Sequence, residues 1–430
     1  MNKIVKRTVI YVQVKFTSPL SVSAGEGEWT DSDLLRDGDG RPFVAGSSLA
    51  GAMRAYLGRK KNEACLMGYS GKDDDGKMSS LLLTDMIFGE TYVTGIRDGV
   101  ALSEKKTALT AGKYELEILE TGAKAHFYME LVIREQDDEE EMLQEMAEIL
   151  NGIETGEIHI GCKKTRGFGA FKIEFLSSRT FNRDNYLEYR NAYQEAEYRK
   201  KDNELKKWQA YSQDRCQMIH IEVPLKMDGG ISIRQYAAKK GEPDFEHLTD
   251  HGMAVIPGSS FAGAIRHRVK KILDELEQQG IHTPGEEAVN IAFGYVKKEK
   301  ACSSNVIISE AEIHNARPLV MVRTGVSRFE SSVKQRTLYK EKIYVDGSFT
   351  LRIAVRKGIN PQDEKWILGL VLLAVKDLQN GLLAVGGQTA VGRGVFRVDG
   401  ELLIDGQAGL EEKIIQETLE NMKTVGGEQA

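Results

Sequence analysis

Two motifs made of glycine, serine and basic residues occur twice along the chain, and both have the composition of phosphate contacts. A Gly-Ser-Ser motif in residues 43–54 returns in residues 255–266, and a glycine-rich motif in residues 161–169 returns in residues 386–394. Free backbone N–H groups at a helix start bind anions, and glycine lets a ligand backbone come close. Because the motifs recur in the same order, the sequence indicates a tandem duplication.

The Gly-Ser-Ser motif stands where a loop passes into a predicted helix. We expect the serines to cap this helix, the glycine one turn later to allow close backbone approach, and the next arginine to add positive charge. A plain helix cap explains a single copy more simply, but the paired spacing favours phosphate binding. The residues concerned are Ser47, Ser48, Gly51 and Arg54 in the first copy, and Ser259, Ser260, Gly263 and Arg266 in the second.

The glycine-rich motif lacks the Gly-Lys-Ser/Thr ending of a nucleotide-binding P-loop, and it does not open a helix after a strand. Nucleotide hydrolysis and dinucleotide binding therefore have little support. A single glycine loop of this kind is more often a bulge, but two in matching places favour a shared binding role. The candidate contacts are Lys163, Lys164, Arg166, Gly167 and Gly169 in the first loop, and Gly392, Arg393 and Gly394 in the second.

Further matches extend the duplication over most of the chain. Gly68-Tyr69 matches Gly294-Tyr295, and from Leu81 to Gly169 the matched positions keep an offset near 225 residues. The length alone favours about three domains, but the repeat predicts two. We expect a first domain over 1–178, a charged connector over 179–215, a second domain over 216–407 and a tail over 408–430.

Both halves have the same predicted order of elements. An alternating strand leads through a Gly- and Asp-containing loop to the Gly-Ser-Ser helix, and then come a strand, an irregular polar segment, a strand pair and a second helix. A last strand runs through the glycine-rich motif. This β-α-β-β-α-β order predicts an α+β ferredoxin-like fold, an antiparallel sheet with helices on one face. The second helices are expected at about 138–151 and 361–379.

The remaining segments and the composition are less specific. The connector has the composition of a solvated charged helix, with specific docking as the less favoured alternative, and the tail suggests a short helix.

The net charge of −6 is not that of a free nucleic-acid-binding protein, although a local basic groove is compatible with an acidic total. The N-terminus has no apolar signal region, and no apolar run approaches the roughly 18 residues of a membrane span. The well-separated cysteines argue against a zinc site and fit a reducing cytoplasm: Cys65, Cys162, Cys216 and Cys302.

The Gly-Ser-Ser-Leu-x-Gly-x-x-Arg helix and the late Gly-x4-Arg-Gly-x-Gly loop resemble the RAMP superfamily of CRISPR-associated proteins, over nearly all of both halves. The resemblance is greatest to the backbone subunits of type III (Csm/Cmr-type) effector complexes. Two such domains in one chain resemble the double subunits of type III-D-like complexes. The second loop departs from the pattern, since Val391 stands where the first has Arg166, and Arg393 is the expected replacement.

The resemblance implies a subunit that grips CRISPR RNA and cuts target RNA with an aspartate between the first strand and the first helix. The family pattern Asp-Ser-x-x-x-Arg-Asp puts Asp31 in the catalytic position, with Asp33 as its main rival. In the second half, Asp244 keeps the six-residue gap to Asp250 but lacks the Ser and the Arg. Turn formation is the simpler role of such aspartates.

An ordinary aspartate is a poor general base at neutral pH, because its reference pKa is about 3.9. Asp31 and Asp244 are better suited to hold Mg²⁺ or to orient the RNA 2′-hydroxyl for attack on the adjacent phosphate. The expected cofactor is therefore Mg²⁺, and zinc is not expected.

The resemblance also implies thumb hairpins, which we expect around 91–113 and 317–338. Their basic side chains suit a hairpin that crosses an RNA duplex, although ordinary solvated loops are the simpler interpretation. The basic residues are Arg97, Lys105, Lys106 and Lys113 in the first segment, and Arg323, Arg328, Lys334 and Arg336 in the second.

Two other functions stay open on the sequence alone. The chain could be an inactive scaffold that only carries guide RNA, or a free RNase that processes CRISPR repeat RNA. Such RNases typically rely on histidine, for which His220 and His247 are the nearest candidates. The expected partners are CRISPR RNA, target RNA and other type III Cas subunits, with no membrane.

Overall fold

The computed structural model describes residues 3–23, 25, 27, 30–58, 66–70, 76–103, 107–212, 216–236, 243–281, 283–297 and 300–427. Cys65, Lys105 and Lys106 lie outside these ranges. Within them, every helix is too short or too polar to cross a membrane. The chain forms two compact units, with Met1–Ala101, Thr110–Lys164 and Phe168–Gln217 in the first and Leu102–Leu109, Thr165–Gly167 and Met218–Ala430 in the second.

The first half of the chain supplies one main sheet, two long helices and several short segments. Its strands are β1 (Ile4–Phe16), β2 (Phe43–Val44), β3 (Tyr69–Ser70), β4 (Gly76–Lys77), β5 (Leu81–Leu83), β6 (Met86–Phe88), β7 (Thr94–Leu102), β8 (Ala108–Leu119), β9 (Lys124–Arg134) and β10 (Phe171–Phe181). Its helices are α1 (Gly46–Leu57), α2 (Glu139–Glu154), α3 (Glu195–Arg199) and α4 (Leu205–Gln209), with 3-10 turns at Lys164–Arg166 and Tyr186–Asn191.

The first sheet has the strand order of a ferredoxin-like fold. β1 lies at the centre between β10 and β9, and β5 and β6 both pair with the other edge of β9. Ile10, Val12, Val14 and Phe16 alternate along β1 and are fully buried in the main core. Numbered by their order in the β-α-β-β-α-β unit, the strands therefore run 4-1-3-2.

The second half repeats these elements with more strands. They are β11 (Met218–Asp228), β12 (Gly230–Ile231), β13 (Arg234–Tyr236), β14 (Phe245–His247), β15 (Thr249–Asp250), β16 (Met253–Ile256), β17 (Tyr295–Lys297), β18 (Lys300–Cys302), β19 (Val306–Ile308), β20 (Ala311–Glu312), β21 (Arg317–Arg323), β22 (Tyr339–Val345), β23 (Ser348–Arg356), β24 (Val395–Val398), β25 (Leu403–Ile404) and β26 (Gln407–Ala408). Its helices are α5 (Gly258–Gln278), α6 (Gly285–Phe293), α7 (Pro361–Gln379) and α8 (Glu411–Gly427), with a 3-10 turn at Thr389–Val391.

The second sheet has the same 4-1-3-2 order. β11 is central, β23 and then β19 lie on one side of it, and β24 and β25 share its other edge. Ile221, Val223 and Leu225 of β11 are fully buried in one core with Phe261 of α5 and Val371 of α7. The α+β ferredoxin-like fold predicted for both halves is confirmed.

The last strand of each half begins after the glycine-rich motif, so the expectation that the strand runs through the motif was wrong. The motifs form the 3-10 turns, and β10 and β24 start beyond them. Gly169 and Gly394 have φ angles of 75° and 70°, which belong to the left-handed region and cannot continue a strand.

The connector 179–215 is packed against the first sheet, so its interpretation as a solvated helix was wrong. It continues β10 to Phe181, and its 3-10 turn and α3 then pack on the sheet face opposite α1 and α2. Its last helix, α4, packs against α2, with Trp208 buried in the main core. Val9, Tyr11, Phe181 and Tyr198 are buried in this second apolar cluster. The outward side of β1 is thus apolar as well, and the connector covers it.

Glu130 of β9 holds the connector through buried polar contacts. Its side chain is 2% exposed and accepts hydrogen bonds from Arg7, Tyr189 and Tyr193. The Tyr189 hydroxyl lies 3.0 Å from the carboxylate. Arg7 belongs to β1 and both tyrosines to the connector, so one carboxylate joins the sheet to the segment that covers it.

The tail forms a longer helix than the short one expected. α8 extends to Gly427 and packs on α7. At Gly369 of α7, a Cβ atom would lie 2.0 Å from Oγ1 of Thr418. The missing side chain therefore lets the two helices approach closely, and Met422 is fully buried in the second core.

We predict that Glu130→Ala destabilises the first unit by about 3 kcal/mol, because it leaves the guanidinium of Arg7 and two tyrosine hydroxyls without their shared acceptor. Urea unfolding should show this loss, and limited proteolysis should show faster cleavage within 182–212. The matched control is Glu188→Ala, which removes an exposed carboxylate 3.7 Å from Arg179 on the same connector. It should cost less than about 1 kcal/mol. Equal costs for the two variants would contradict a holding role for Glu130.

Candidate nucleic-acid interface and active site

Asp31 and Asp244 are held in the same way in the two units. Oδ2 of Asp31 accepts a hydrogen bond of 2.7 Å from the backbone N–H of Glu115, and Oδ2 of Asp244 accepts one of 2.8 Å from the backbone N–H of Lys340. In each unit the donor directly follows the tyrosine that the repeat pairs. The two aspartates therefore occupy equivalent positions although their surrounding sequences differ.

The residue after each aspartate gives a second match. Ser32 forms an isolated parallel bridge with Leu116 of β8, and Phe245 pairs in parallel with Glu341 of β22. The acidic loop thus runs alongside the same strand in both units. Both aspartate side chains are exposed, so a cation or an RNA hydroxyl can reach them.

Asp33 is a turn residue. Its Oδ1 accepts hydrogen bonds from the backbone N–H of Thr30 at 3.0 Å and from the Thr30 hydroxyl at 2.7 Å. A Cβ atom on Gly27 would lie 2.0 Å from Cγ of Asp33, so the carboxyl group packs into the loop itself. Asp37 is also a turn residue, because its Oδ1 accepts from the N–H groups of Asp39 and Arg41. The geometry of these two differs from that of Asp31.

The serines of the Gly-Ser-Ser motifs do not cap their helices, so this expectation was wrong. α1 begins at Gly46 with Ala45 as N-cap, α5 begins at Gly258 with Pro257 as N-cap, and neither cap makes a side-chain hydrogen bond. An N-cap side chain reaches back to the first turn because its own backbone is not yet helical. The serines already lie inside the first turn, so they cannot act in this way.

The helix starts are placed by contacts of the glycine that precedes the serines. The N–H of Gly46 donates to Oδ1 of Asp85 at 2.7 Å. A Cβ atom on Gly46 would lie 2.8 Å from the carbonyl oxygen of Leu83, and one on Gly258 would lie 2.1 Å from that of Ile308. α1 therefore begins in close contact with β5, and α5 begins in close contact with β19.

The exposed side of each first turn is open to a ligand. Ser47 and Ser48 are exposed, and Ser259 and Ser260 are half-buried. Among the described residues, no atom lies within 4 Å of the place where a Cβ on Gly51 or Gly263 would stand. The phosphate role of these residues stays a prediction, and the local geometry leaves room for it.

Arg54 and Arg266 have a structural contact in common. Nη1 of Arg54 donates to the carbonyl oxygen of Gly68 at 3.0 Å, and Nη1 of Arg266 donates to that of Gly294 at 3.0 Å. Gly68 and Gly294 are matched positions of the repeat. Both arginines therefore tie their helix to a neighbouring turn, and their contact with phosphate stays a prediction.

The two glycine-rich loops close in the same way. A Cβ atom on Gly169 would lie 1.8 Å from the carbonyl oxygen of Ile160, and one on Gly394 would lie 1.8 Å from that of Val385. The N–H groups of Ile160 and Val385 donate to the carbonyl oxygens of Gly169 and Gly394 at 3.0 and 2.9 Å. Any larger residue at either glycine would break this closure. Gly167 and Gly392 also have positive φ angles, of 88° and 81°.

The two loops differ in the charge that they expose. Lys164 and Arg166 are exposed in the first loop, whereas the corresponding positions of the second hold Thr389, which is half-buried, and Val391, which is exposed. Lys163 is half-buried, with its Nζ 3.7 Å from the ring centre of Tyr114. The first loop is thus the basic one.

Arg393 does not replace Arg166 on the loop surface. It is 4% exposed, and its Nη1 lies 2.9 Å from Oε2 of Glu341, which is fully buried. Phe168 stands at the corresponding place in the first loop and is also buried. Sequence reasoning missed Glu341, although the offset near 225 pairs it with Leu116 and pairs Arg393 with Phe168.

Both expected thumbs include β-hairpin strands. β7 pairs with β8, so the first segment is more regular than expected, and β21 pairs with β22 in the second. Arg97 is buried, and Lys113 contacts Glu115 at 2.6 Å and Asp98 at 3.5 Å. In the second thumb, Arg323 is half-buried, and Arg328, Lys334 and Arg336 are exposed.

Comparison with known proteins gives one finding. The family model of the RAMP superfamily matches residues 13–172 and again residues 227–397, which together make up most of the chain and include both candidate sites. A search of curated proteins finds no match. The two matched regions coincide with the two halves of the repeat and with the two ferredoxin-like sheets. The chain therefore belongs to the RAMP superfamily, with one RAMP domain in each half.

Proposed function

We propose that this chain is a CRISPR RNA-binding backbone subunit of a type III effector complex, and that it cleaves complementary target RNA at two places. Membership of the RAMP superfamily supports a CRISPR-associated role in RNA binding. The observation that carries the cleavage proposal is the matched pair of exposed aspartates, each held by a backbone N–H of the strand beside it. One aspartate in each domain gives two cut sites per chain.

In the proposed reaction, the 2′-hydroxyl oxygen of the target RNA attacks the adjacent phosphorus in line, and the bond from phosphorus to the 5′ oxygen breaks. The 2′ proton passes to solvent and the leaving 5′ oxygen takes up a proton from solvent, so the products end in a 2′,3′-cyclic phosphate and a 5′-hydroxyl. The backbone hydrogen bond holds one carboxylate oxygen of Asp31 or Asp244, and the exposed side chain can accept the hydrogen bond that orients this hydroxyl. The same carboxylates would hold Mg²⁺, whose preference for oxygen ligands and several retained waters fits a single exposed aspartate. When bound, the ion supplies positive charge against the charge that develops on the phosphate.

RNA binding is proposed at two places, the open first turn of α1 and the first glycine-rich loop. Ser47, Ser48 and Gly51 form an open first turn, where backbone N–H groups and the helix dipole favour a phosphate. Lys164 and Arg166 add exposed positive charge. The guide RNA is the proposed ligand of these two places, and target RNA and other type III Cas subunits are the further proposed partners.

A histidine-based RNase activity receives no support from His247. Its side chain is 1% exposed, Nδ1 accepts from the N–H of Ile233 at 3.0 Å, and Nε2 lies 3.1 Å from the carbonyl oxygen of Val255. Burial lowers the pKa of His247 to about 4, against the smaller opposite effect of its backbone hydrogen bonds. His247 is thus a neutral core residue with both ring nitrogens engaged.

We predict that Asp31→Asn and Asp244→Asn each remove a different product of target-RNA cleavage, slowing that cut at least about 100-fold. The double variant should lose both products, while binding of guide and target persists. The assay uses the complex assembled with CRISPR RNA, labelled complementary RNA and Mg²⁺, with products separated on a sequencing gel. Asp37→Asn is the control, since this aspartate only forms a turn. Products that survive in the double variant would leave the chain as a guide-carrying scaffold.

The charge difference between the loops predicts different salt dependence. Lys164→Ala/Arg166→Ala should reduce the slope of log affinity for CRISPR RNA against log salt by about 1.4, since each phosphate contact to a single strand contributes about 0.7. Val391→Ala should change nothing, and Val391→Arg should raise the slope by about 0.7 if the second loop also faces the guide. Fluorescence anisotropy at several salt concentrations measures all three. An unchanged slope in the double variant would exclude the first loop from the phosphate contacts.

His247 predicts a pH dependence of stability in the second unit. An unfolded histidine has a pKa of about 6.5, whereas His247 is near 4 when folded. Between these values the unfolded state binds more protons, so folding weakens as pH falls. The expected loss between pH 7 and pH 5 is about 2 kcal/mol. Urea unfolding of the wild type and of His247→Gln at both pH values tests this, and the variant should lack that share of the loss. An identical pH dependence in both proteins would mean that folding does not lower the pKa of His247.

A further inference from the structure

The second glycine-rich loop is joined to the strand beside Asp244 through one buried carboxylate. Glu341 follows Lys340, whose N–H holds Asp244. Besides the 2.9 Å contact with Arg393, Oε2 of Glu341 accepts from Nε2 of Gln388 at 2.9 Å, and Oε1 accepts from the Ser232 hydroxyl at 2.7 Å. Nε of Arg234 lies 3.2 Å from Oε1.

The corresponding joint in the first unit is apolar. Leu116 and Phe168 are 8% and 6% exposed and share a buried cluster with Ile118. Leu116 occupies the strand position of Glu341, because each bridges the residue that follows the aspartate. Phe168 occupies the loop position of Arg393, because each directly precedes the glycine that closes the loop.

A pair of serines marks the same place in both units. The carbonyl oxygen of Ser21 accepts from the N–H of Cys162 at 2.9 Å, and that of Ser232 accepts from the N–H of Gly387 at 2.8 Å. The Ser232 hydroxyl donates to Glu341. The buried Ser21 hydroxyl has no hydrogen-bond partner among the described residues. The first unit thus keeps the serine at this joint without the carboxylate that uses it in the second.

The ionic joint has a different energetic character from the apolar one. Burial raises the pKa of Glu341, but hydrogen bonds from Ser232 and Arg393 and the charges of Arg393 and Arg234 lower it and prevail, so the carboxylate is ionised. Removing one member of a buried ion pair leaves an uncompensated charge, whereas replacing both members with apolar residues of similar size is often neutral. Replacing Glu341 or Arg393 alone should therefore be more harmful than replacing both with apolar residues.

We propose that Glu341 is a positioning residue for the second cleavage site. It fixes β22 against the second glycine-rich loop, and the N–H of Lys340 in β22 holds Asp244. Leu116 and Phe168 do the same for Asp31 by apolar packing. This inference rests on the proposed function, because it assumes that Asp244 acts in cleavage.

The test measures the rate of each cut and the affinity for CRISPR RNA in the assembled complex. Glu341→Leu should slow the cut assigned to Asp244 by about 10- to 100-fold, as expected for a displaced reacting group, with the Asp31 cut and RNA affinity unchanged. Glu341→Leu/Arg393→Phe copies the apolar joint of the first unit and should restore most of the lost rate. The control Val371→Ala, on α7 and fully buried, lowers stability away from the joint and should leave both rates unchanged below its melting temperature.

The possible outcomes distinguish a failure of the positioning role of Glu341 from a failure of the proposed cleavage function. Normal cutting in Glu341→Leu, or a folded double variant that stays as slow as the single one, would overturn the positioning role. Asp31→Asn and Asp244→Asn are assayed alongside, and if neither affects cleavage, the proposed function fails instead. In that case hydrogen exchange at the Lys340 amide decides the structural part. Glu341→Leu should accelerate this exchange and the double variant should restore it, whereas unchanged exchange in Glu341→Leu would overturn the positioning role.

Discussion

One backbone hydrogen bond in each unit fixes the position of the acidic loop. The donors, at Glu115 and Lys340, belong to strands that also form one side of a thumb hairpin. The parallel bridge at the next residue keeps the loop alongside that strand. The aspartate and the thumb therefore share one rigid support, and their separation is set by the rise of a β-strand rather than by a flexible loop.

The covered face of the first sheet limits where RNA can bind. RNA-recognition domains with this strand order stack bases on aromatic residues of the open sheet face. Here Tyr11 lies beneath the connector, with Tyr198 packed against it and Glu130 holding the connector in place. Bases cannot stack on this face while the connector is in place. In the first unit, Ser47, Ser48 and Lys164 offer exposed groups suited to phosphate.

The sequence predicted the repeated fold because its main signals are local. Alternation along β1 and β11 and the recurring motifs are visible over a few residues each, and both sheets follow from them. The docked connector was missed because its charged composition is typical of a solvated helix, whereas the contact that docks it joins Tyr198 to Tyr11, far away along the chain. The capping role of the serines was wrong by two residues, since the helices begin at Gly46 and Gly258.

The aspartate loops and the inward turn of Arg393 illustrate the limits of local patterns. The family pattern indicated Asp31 and the six-residue gap to Asp250 indicated Asp244. Matched backbone donors far along the chain give the two aspartates equivalent places. Arg393 looked like a surface residue because its partner, Glu341, lies on a distant strand. Glu341 and Arg393 form an ion pair in the second unit, and the equivalent residues of the first unit, Leu116 and Phe168, are both apolar. This joint change from an ionic to an apolar contact is visible only when both positions are compared.

This paired difference restricts how the two halves of the gene can exchange sequence. A recombination that moved only the loop of residues 386–394 into the first half would set a buried guanidinium against Leu116. The reverse exchange would leave the Glu341 carboxylate facing a phenylalanine ring. Either product would carry a buried charge without its counter-ion, whereas exchange of a whole domain would not. Exchange of a loop alone between the two halves is thus unfavourable, and each loop stays specific to its own domain.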